Sequence, residues 1–250
     1  MPLQANVADR IHQVTDAYTN WFIVEDDVGP ALTVVDTGFP RSWSSLVDAL
    51  AELGRLPSHI EAVVLTHAHF DHMGFARRAE DELGLPVWAH EKEVPVAAHP
   101  WRYDHERSRL YYFVRYRGFR RIFAAMGSAG ALFVKGLEHV RTFASDGTLD
   151  VPGRPRIVFT PGHTYGHCAL HFEGRGTVIA GDAIVTLDPY TGRKGPRIVA
   201  GAATANSRMA LDSLDALLAT DAQMVLTGHG APWREGVRLA VERARSVGPS

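Results

Sequence analysis

The chain reads as an α/β protein of the α+β kind, and two observations carry that reading. Over the first ninety residues, apolar runs of strand length, residues 60–66 above all, alternate with amphipathic helical segments. Beyond residue 140, short β-rich runs succeed one another between Gly- and Pro-rich turns. The two regions echo each other: Val63-Val64-Leu65-Thr66-His67 against Val225-Leu226-Thr227-Gly228-His229, and Thr33-Val34-Val35-Asp36 against Thr177-Val178-Ile179-Ala180-Gly181-Asp182. Two similar β-rich halves facing one another account for such echoes. With 250 residues, no linker and no low-complexity stretch, residues 1–250 are expected to form one domain.

Residues 14–24, with Tyr18, Trp21, Phe22 and Ile23, and residues 31–35 read as the two strands of a hairpin, joined through Glu25-Asp26-Asp27-Val28-Gly29-Pro30. Ser42 is placed to cap a helix over 43–53, which Gly54 and Pro57 stop. The continuous apolar run 60–66 is typical of a strand buried on both faces. A helix over 75–83 closes at Gly84 and Pro86, and Val87-Trp88-Ala89 starts another strand. Further strands are expected at 140–143, 156–160, 169–172, 177–180 and 224–226, with helices at 206–218 and 237–245.

Residues 95–137 break this rhythm. Between Trp101 and Arg121 lie seven arginines and two acids, a local charge of +5, interleaved with aromatics. The segment is expected to form two helices over the sheet ends, as an inserted lid.

The formal net charge of −2 argues against a surface made for nucleic acid. Cys168 is the only cysteine, which excludes an intramolecular disulfide and suits a reducing compartment. There is no signal-peptide pattern at the start and no run of 18 apolar residues. The expected setting is the cytoplasm, with no membrane and no nucleic-acid partner.

The chemistry concentrates in Thr66-His67-Ala68-His69-Phe70-Asp71-His72-Met73-Gly74, where the apolar run gives way to a loop. Residues two apart in extended backbone point the same way, so His67 and His69 can grip one ion. Asp71 and His72 follow as the chain turns and can reach a second position about 3.5–4 Å beyond, the usual separation in two-metal hydrolytic sites. Three later residues each follow an apolar run and stand beside glycine: His163 after Gly162, Asp182 after Gly181, and His229 between Gly228 and Gly230. Glycine there lets backbone approach closely and take turn dihedrals.

In this order and with these flanks, His67, His69, Asp71, His72, His163, Asp182 and His229 resemble the ligand set of the metallo-β-lactamase superfamily, over residues 11–233. The resemblance implies a four-layer αββα sandwich of two mixed β-sheets between outer helices, with two divalent metal ions at one edge. By that analogy His67, His69 and His163 hold one ion, Asp71, His72 and His229 the other, and Asp182 bridges them. Three imidazoles favour zinc, whereas two imidazoles and a carboxylate suit zinc, iron or manganese. The implied activity is hydrolysis of an ester-type bond (thioester, lactone or ester, with a phosphodiester as an outer option) by a bridging hydroxide that Asp71 orients and whose parent water gives its proton to Asp71. Asp36 and His167 are expected as supporting residues around the ligands. Tyr165, Tyr190 and the aromatics from Trp101 to Phe113, including Tyr111, are candidates for contact with a small-molecule substrate, and the arginines favour an acidic one.

Asp182 separates this chain from the true β-lactamases of the fold. Only 21 residues follow His229, so the C-terminal helical domain of glyoxalase II-like enzymes is not expected. The acyl-homoserine lactonases carry a tyrosine soon after the bridging aspartate; here Ala183-Ile184-Val185 follows and the first tyrosine is Tyr190. The alternative of another class is a mononuclear iron sulfur dioxygenase, with two histidines and a carboxylate on one iron. The Gly-Arg-Thr-Asp segment of that group is replaced here by Leu187-Asp188-Pro189-Tyr190-Thr191-Gly192. A non-catalytic metal-binding module predicts a lost ligand, and none of the seven is missing.

Overall fold

A computed structural model describes residues 3–250. Strands β1 (Leu3–Ala8), β2 (Ile11–Asp16), β3 (Thr19–Glu25) and β4 (Leu32–Val35) form an antiparallel meander, which β5 (Ile60–Val64), β6 (Val87–His90) and β7 (Arg141–Phe143) extend in parallel. Helices α1 (Ser42–Glu52) and α2 (Ala76–Leu83) supply the crossovers from β4 to β5 and from β5 to β6. Then come α3 (Val94–Ala98), α4 (Arg109–Arg115) and α5 (Arg117–Ser128). The second half has β8 (Arg156–Phe159), β9 (Cys168–Phe172), β10 (Thr177–Gly181), a two-stranded ribbon of β11 (Val185–Leu187) and β12 (Lys194–Arg197), helix α6 (Ser207–Leu218), β13 (Met224–Thr227) and α7 (Gly236–Val247). The second sheet runs β13-β10-β9-β8.

Strands β4, β10 and β13 are apolar but for threonine because both faces of the sheet around them are covered. Alternate side chains go to different cores: Trp21, Ile23, Val34 and Val63 pack with Leu46 and Leu50 of α1 and Ala76 and Ala79 of α2. Their neighbours Phe22, Val24, Val35 and Val64 meet Ile157, Leu170, Ile179 and Leu226 between the sheets. On the far side Val158, Ala169, Val178 and Val225 pack with Leu214 and Leu217 of α6 and Val241 and Ala244 of α7. The layers are therefore helix, sheet, sheet, helix. Burying each such Val, Leu, Ile or Phe contributes about 1.5–3 kcal/mol, and a one-residue slip in any strand would exchange two cores at once.

Strand direction gathers the motif residues. β4 and β5 are parallel, so Asp36 and the histidine loop leave the first sheet at the same edge. β8 and β10 are both antiparallel to β9, and β13 is parallel to β10, so His163, Asp182 and His229 all lie past the carboxyl ends of their strands.

Some elements depart from the sequence expectation. The run 14–24 is not one strand: it doubles back at Ala17 and Tyr18, both at positive φ (46° and 72°), pairing Val14 with Trp21. Two-residue hairpin turns need such dihedrals, and Gly or Asn would have announced them where Ala and Tyr do not. Ser42 is the first helical residue of α1, not its cap, and its hydroxyl accepts from the Phe39 N–H. The 95–137 segment holds three helices instead of two, because Tyr116, extended at φ −120°, breaks the second in two. β1 and the β11–β12 ribbon carry too few apolar alternations to be seen in sequence.

Candidate metal centre

The histidine loop is held from beneath by Asp36, fully buried at the end of β4. Its carboxylate accepts from the Thr66 N–H (2.8 Å), the Thr66 hydroxyl (2.8 Å) and His72 Nδ1 (2.9 Å). The last bond fixes the His72 tautomer and turns its Nε2 inward. Burial pushes the Asp36 carboxyl above its ordinary range against the pull of His72.

His229 and His163 have comparable anchors. His229 Nδ1 donates to the Tyr18 carbonyl (2.8 Å), leaving Nε2 3.4 Å from Asp71 and 3.3 Å from Asp182. His163 Nδ1 lies 3.4 Å from the Thr204 hydroxyl, which donates to the Val199 carbonyl. His167 stands outside the cluster's front row: its Nδ1 pairs with the Thr160 hydroxyl (2.8 Å) and its Nε2 accepts the Asp182 N–H (3.0 Å). Burial drives His167 down to about 4, so the ring is neutral and free to accept. Gly181 takes φ +50°, and a Cβ on Gly228 would collide with Asp182 Oδ1. Only glycine lets the two loops close around that carboxylate.

The result is three overlapping groups whose ligand atoms lie within 4.8 Å of one another: His67, His69 and His163; His67, His72 and Asp182; and Asp71, His72 and His229. Asp182 faces both ends, with Oδ1 3.7 Å from His72 Nε2 and Oδ2 3.4 Å from His163 Nε2. His67 Nε2, His69 Nε2, His72 Nε2 and Asp182 Oδ1 are buried without a hydrogen-bond partner among the described residues. Leaving four such atoms unpaired costs about 1–3 kcal/mol each, and a cation coordinated there would satisfy them together, so this donor set fits metal.

The protonation balance agrees. Burial, with neighbouring imidazoles, drives His67 and His69 well below the usual histidine range, and burial takes His163 to about 3. Burial would raise Asp182 and Asp71, yet the facing imidazoles win and hold both below the usual carboxylate range. His72 and His229 are shifted upward: burial is outweighed for both by Asp182 and Asp71, aided at His72 by Asp36. Neutral imidazoles and ionised carboxylates are the cation-binding forms, and the protons on His72 and His229 are those a cation would displace.

All seven ligand candidates converge. Of the aromatic candidates, Tyr190 lines the cavity over the cluster, whose open space of about 20 Å³ takes roughly one water. Trp101 stacks on Phe70 at 3.9 Å, Tyr111 is 51% exposed, and Tyr165 lines an outer cleft. Tyr103 proves the closer aromatic: its ring lies 3.7 Å from that of His69, it lines the cavity, and burial pushes its hydroxyl up to about 12. Glu93, which no motif signalled, is buried and accepts from the Ala68 N–H (2.8 Å) and the Gly166 N–H (2.9 Å), tying the histidine loop to the His163 loop. Cys168 is buried and its thiol is pushed far up by burial, which removes it as a nucleophile.

A family model described as "Metallo-beta-lactamase superfamily" matches residues 14–229. The "probable metallo-hydrolase YflN" of Bacillus subtilis (strain 168) is 24% identical over 232 residues, covering 90% of this chain and 85% of that protein. A hydroxyacylglutathione hydrolase of Gloeobacter violaceus is 28% identical over 178 residues, covering 70% of this chain and 52% of that protein. Among solved structures, the metallo-beta-lactamase family protein TTHA1429 of Thermus thermophilus superposes with a TM-score of 0.65 at 26% identity, over 90% of this chain and 72% of that one.

Proposed function

This chain belongs to the metallo-beta-lactamase superfamily, and from that premise we propose that it is a binuclear metallo-hydrolase that cleaves an ester-type bond: a thioester, lactone or ester before a phosphodiester. The observation that carries the reading is Asp182, set between two clusters of ligand atoms and facing both. The hydroxyacylglutathione hydrolase among the relatives supports an ester-type substrate.

His67, His69 and His163 would hold one ion, Asp71, His72 and His229 the other, with Asp182 between them; zinc suits both sets, and iron or manganese the second. Bound there, divalent ions supply Lewis acidity toward the substrate oxygen and a water acidic enough to ionise near pH 7. Asp71, ionised beside His229, accepts the attacking water's proton at a carboxylate oxygen. Tyr103 and Tyr190 keep their hydroxyl protons at neutral pH and donate to the substrate's oxygens. Phe70, Phe119, Phe123, Met126, Pro189, Val199 and Ala203 complete the lining, so the groups flanking the scissile bond are apolar and shielded from water. No lysine or arginine stands among these lining residues, which places any acidic part of the substrate farther out. Since α5 supplies Phe119, Phe123 and Met126 to so small a cavity, the 95–137 segment acts as a lid that shifts to admit substrate.

Elemental analysis of the purified protein, followed by assays on a thioester, a lactone, an ester, a phosphodiester and a β-lactam, tests this. Two ions per chain with hydrolysis of an ester-type bond is the expected result. One iron per chain with oxygen consumption would replace it with the sulfur dioxygenase reading.

A further inference from the structure

Helix α4 has its burial inverted. Of Arg109, Leu110, Tyr111, Tyr112, Phe113, Val114 and Arg115, only Tyr112 is buried. Leu110 (69% exposed) and Val114 (73%) stand one turn apart on one outward stripe, with Tyr111 and Arg115 making the next. A helix on the surface of a soluble protein turns charged and polar side chains outward. This one presents large apolar groups with arginines around them. The patch continues into α5 through Phe113, whose ring is 6.1 Å from that of Phe119, and through Phe123 beyond it, both Phe113 and Phe123 being exposed.

The charge around these groups is predominantly positive. Residues 101–121 hold seven arginines against Asp104 and Glu106, leaving the rest of the chain 19 basic against 26 acidic side chains. Among the described residues none of the seven arginines forms an ion pair. Glu106 is engaged elsewhere, accepting from the Ser207 N–H and hydroxyl. A two-fold contact between copies of this face would set a charge of +5 against +5, which repels. A nucleic acid would match the arginines and leave Leu110 and Val114 against phosphates. An anionic bilayer surface matches both: lipid phosphates for the guanidinium groups, whose stems lie along apolar surface, and the acyl boundary for the Leu110–Val114 stripe.

We propose that α4 and the start of α5 form a peripheral docking surface for an anionic lipid bilayer, the chain lying on the membrane and not crossing it. Among the described residues no helix is long and apolar enough to span one. The proposal departs from the sequence expectation of no membrane partner, and it does not rest on the proposed reaction, though Phe123 belongs both to this patch and to the cavity lining.

The test is co-sedimentation of the full chain with phosphatidylcholine vesicles, with and without phosphatidylglycerol, at low and high salt. Binding should rise on the order of tenfold or more with the anionic lipid and fall with salt. It should be lost in Leu110→Asp/Val114→Asp and in Arg115→Glu/Arg121→Glu, whose thermal unfolding should match the parent because the replaced side chains are exposed. Absence of binding to anionic vesicles overturns the proposal, as does binding that either double variant leaves intact. Sedimentation equilibrium supplies the rival outcome: a dimer that dissociates in the Leu110→Asp/Val114→Asp variant would assign the face to a second copy.

Discussion

The edge where the two sheets meet and the helices of residues 94–128 follow opposite rules. At the edge every ligand candidate is buried and His72, His163 and His229 each carry a second bond: His72 to Asp36, His229 to the Tyr18 carbonyl, His163 to Thr204. On α4 one side chain in seven is buried. Side chains that must present lone pairs at fixed positions are over-determined by packing, as preorganised metal sites require. Side chains that meet a soft or variable surface need no such bracing.

The contrast is broken most severely at Asp182. Asp182→Asn removes an anionic oxygen from both ligand groups, and metal occupancy and turnover should drop together by at least about 100-fold; two bound ions with full turnover would falsify the bridging assignment. Asp36→Asn keeps the shape but weakens the bond that orients His72. Metal affinity, measured by competition with a chromophoric chelator, should weaken by about 10–100-fold. An unchanged affinity would mean that the His72 ring is held by packing alone.

A smaller effect separates ordinary buried histidines from the cluster. His171 lies outside the centre with its Nδ1 3.2 Å from the Arg156 guanidinium, and burial, reinforced by that arginine, holds it below the usual histidine range. A depressed folded value means the unfolded chain binds the proton more readily, so this stability is present above about pH 6.5 and is lost as pH falls toward the folded value. Urea unfolding of the parent between pH 7.5 and 5.5, both set by the experimenter on either side of about 6.5, should therefore show a steeper loss than His171→Gln. Equal slopes would show that the ring titrates as freely in the fold as out of it.

The smallest change is expected on α4. Val114→Ser replaces an exposed side chain and should alter unfolding free energy by no more than about 0.5 kcal/mol. A loss above about 2 kcal/mol, on the order of a core truncation, would mean that this face is covered within the protein itself.

Much of this was legible beforehand for reasons that differ from residue to residue. The runs 60–66 and 177–180 announced strands because two cores claim alternate side chains of each, leaving Glu61, near the start of β5, as the one charged position. His67, His69, Asp71 and His72 announced a metal site because their spacing is local and four ligating side chains in six residues have few other uses. The hairpin at Ala17 and Tyr18 was hidden because a left-handed turn can be imposed by the pairing on either side of it. Glu93 was hidden because its two bonds go to backbone amides, which every sequence supplies and none advertises.

By itself, then, the sequence determined which side chains were available to hold a cation, the alternation of elements, and the family. Local spacing and periodicity are properties of adjacent residues, and they survive without knowledge of the fold. Only the tertiary structure decided that Tyr103 faces His69 while Tyr111 faces out, that Asp36 braces His72 and His167 braces Asp182, and that the arginines of 101–121 lie outside the cavity. Those outcomes depend on which way a side chain leaves an element and what packs opposite, and strands far apart in the chain settle both when the two sheets close.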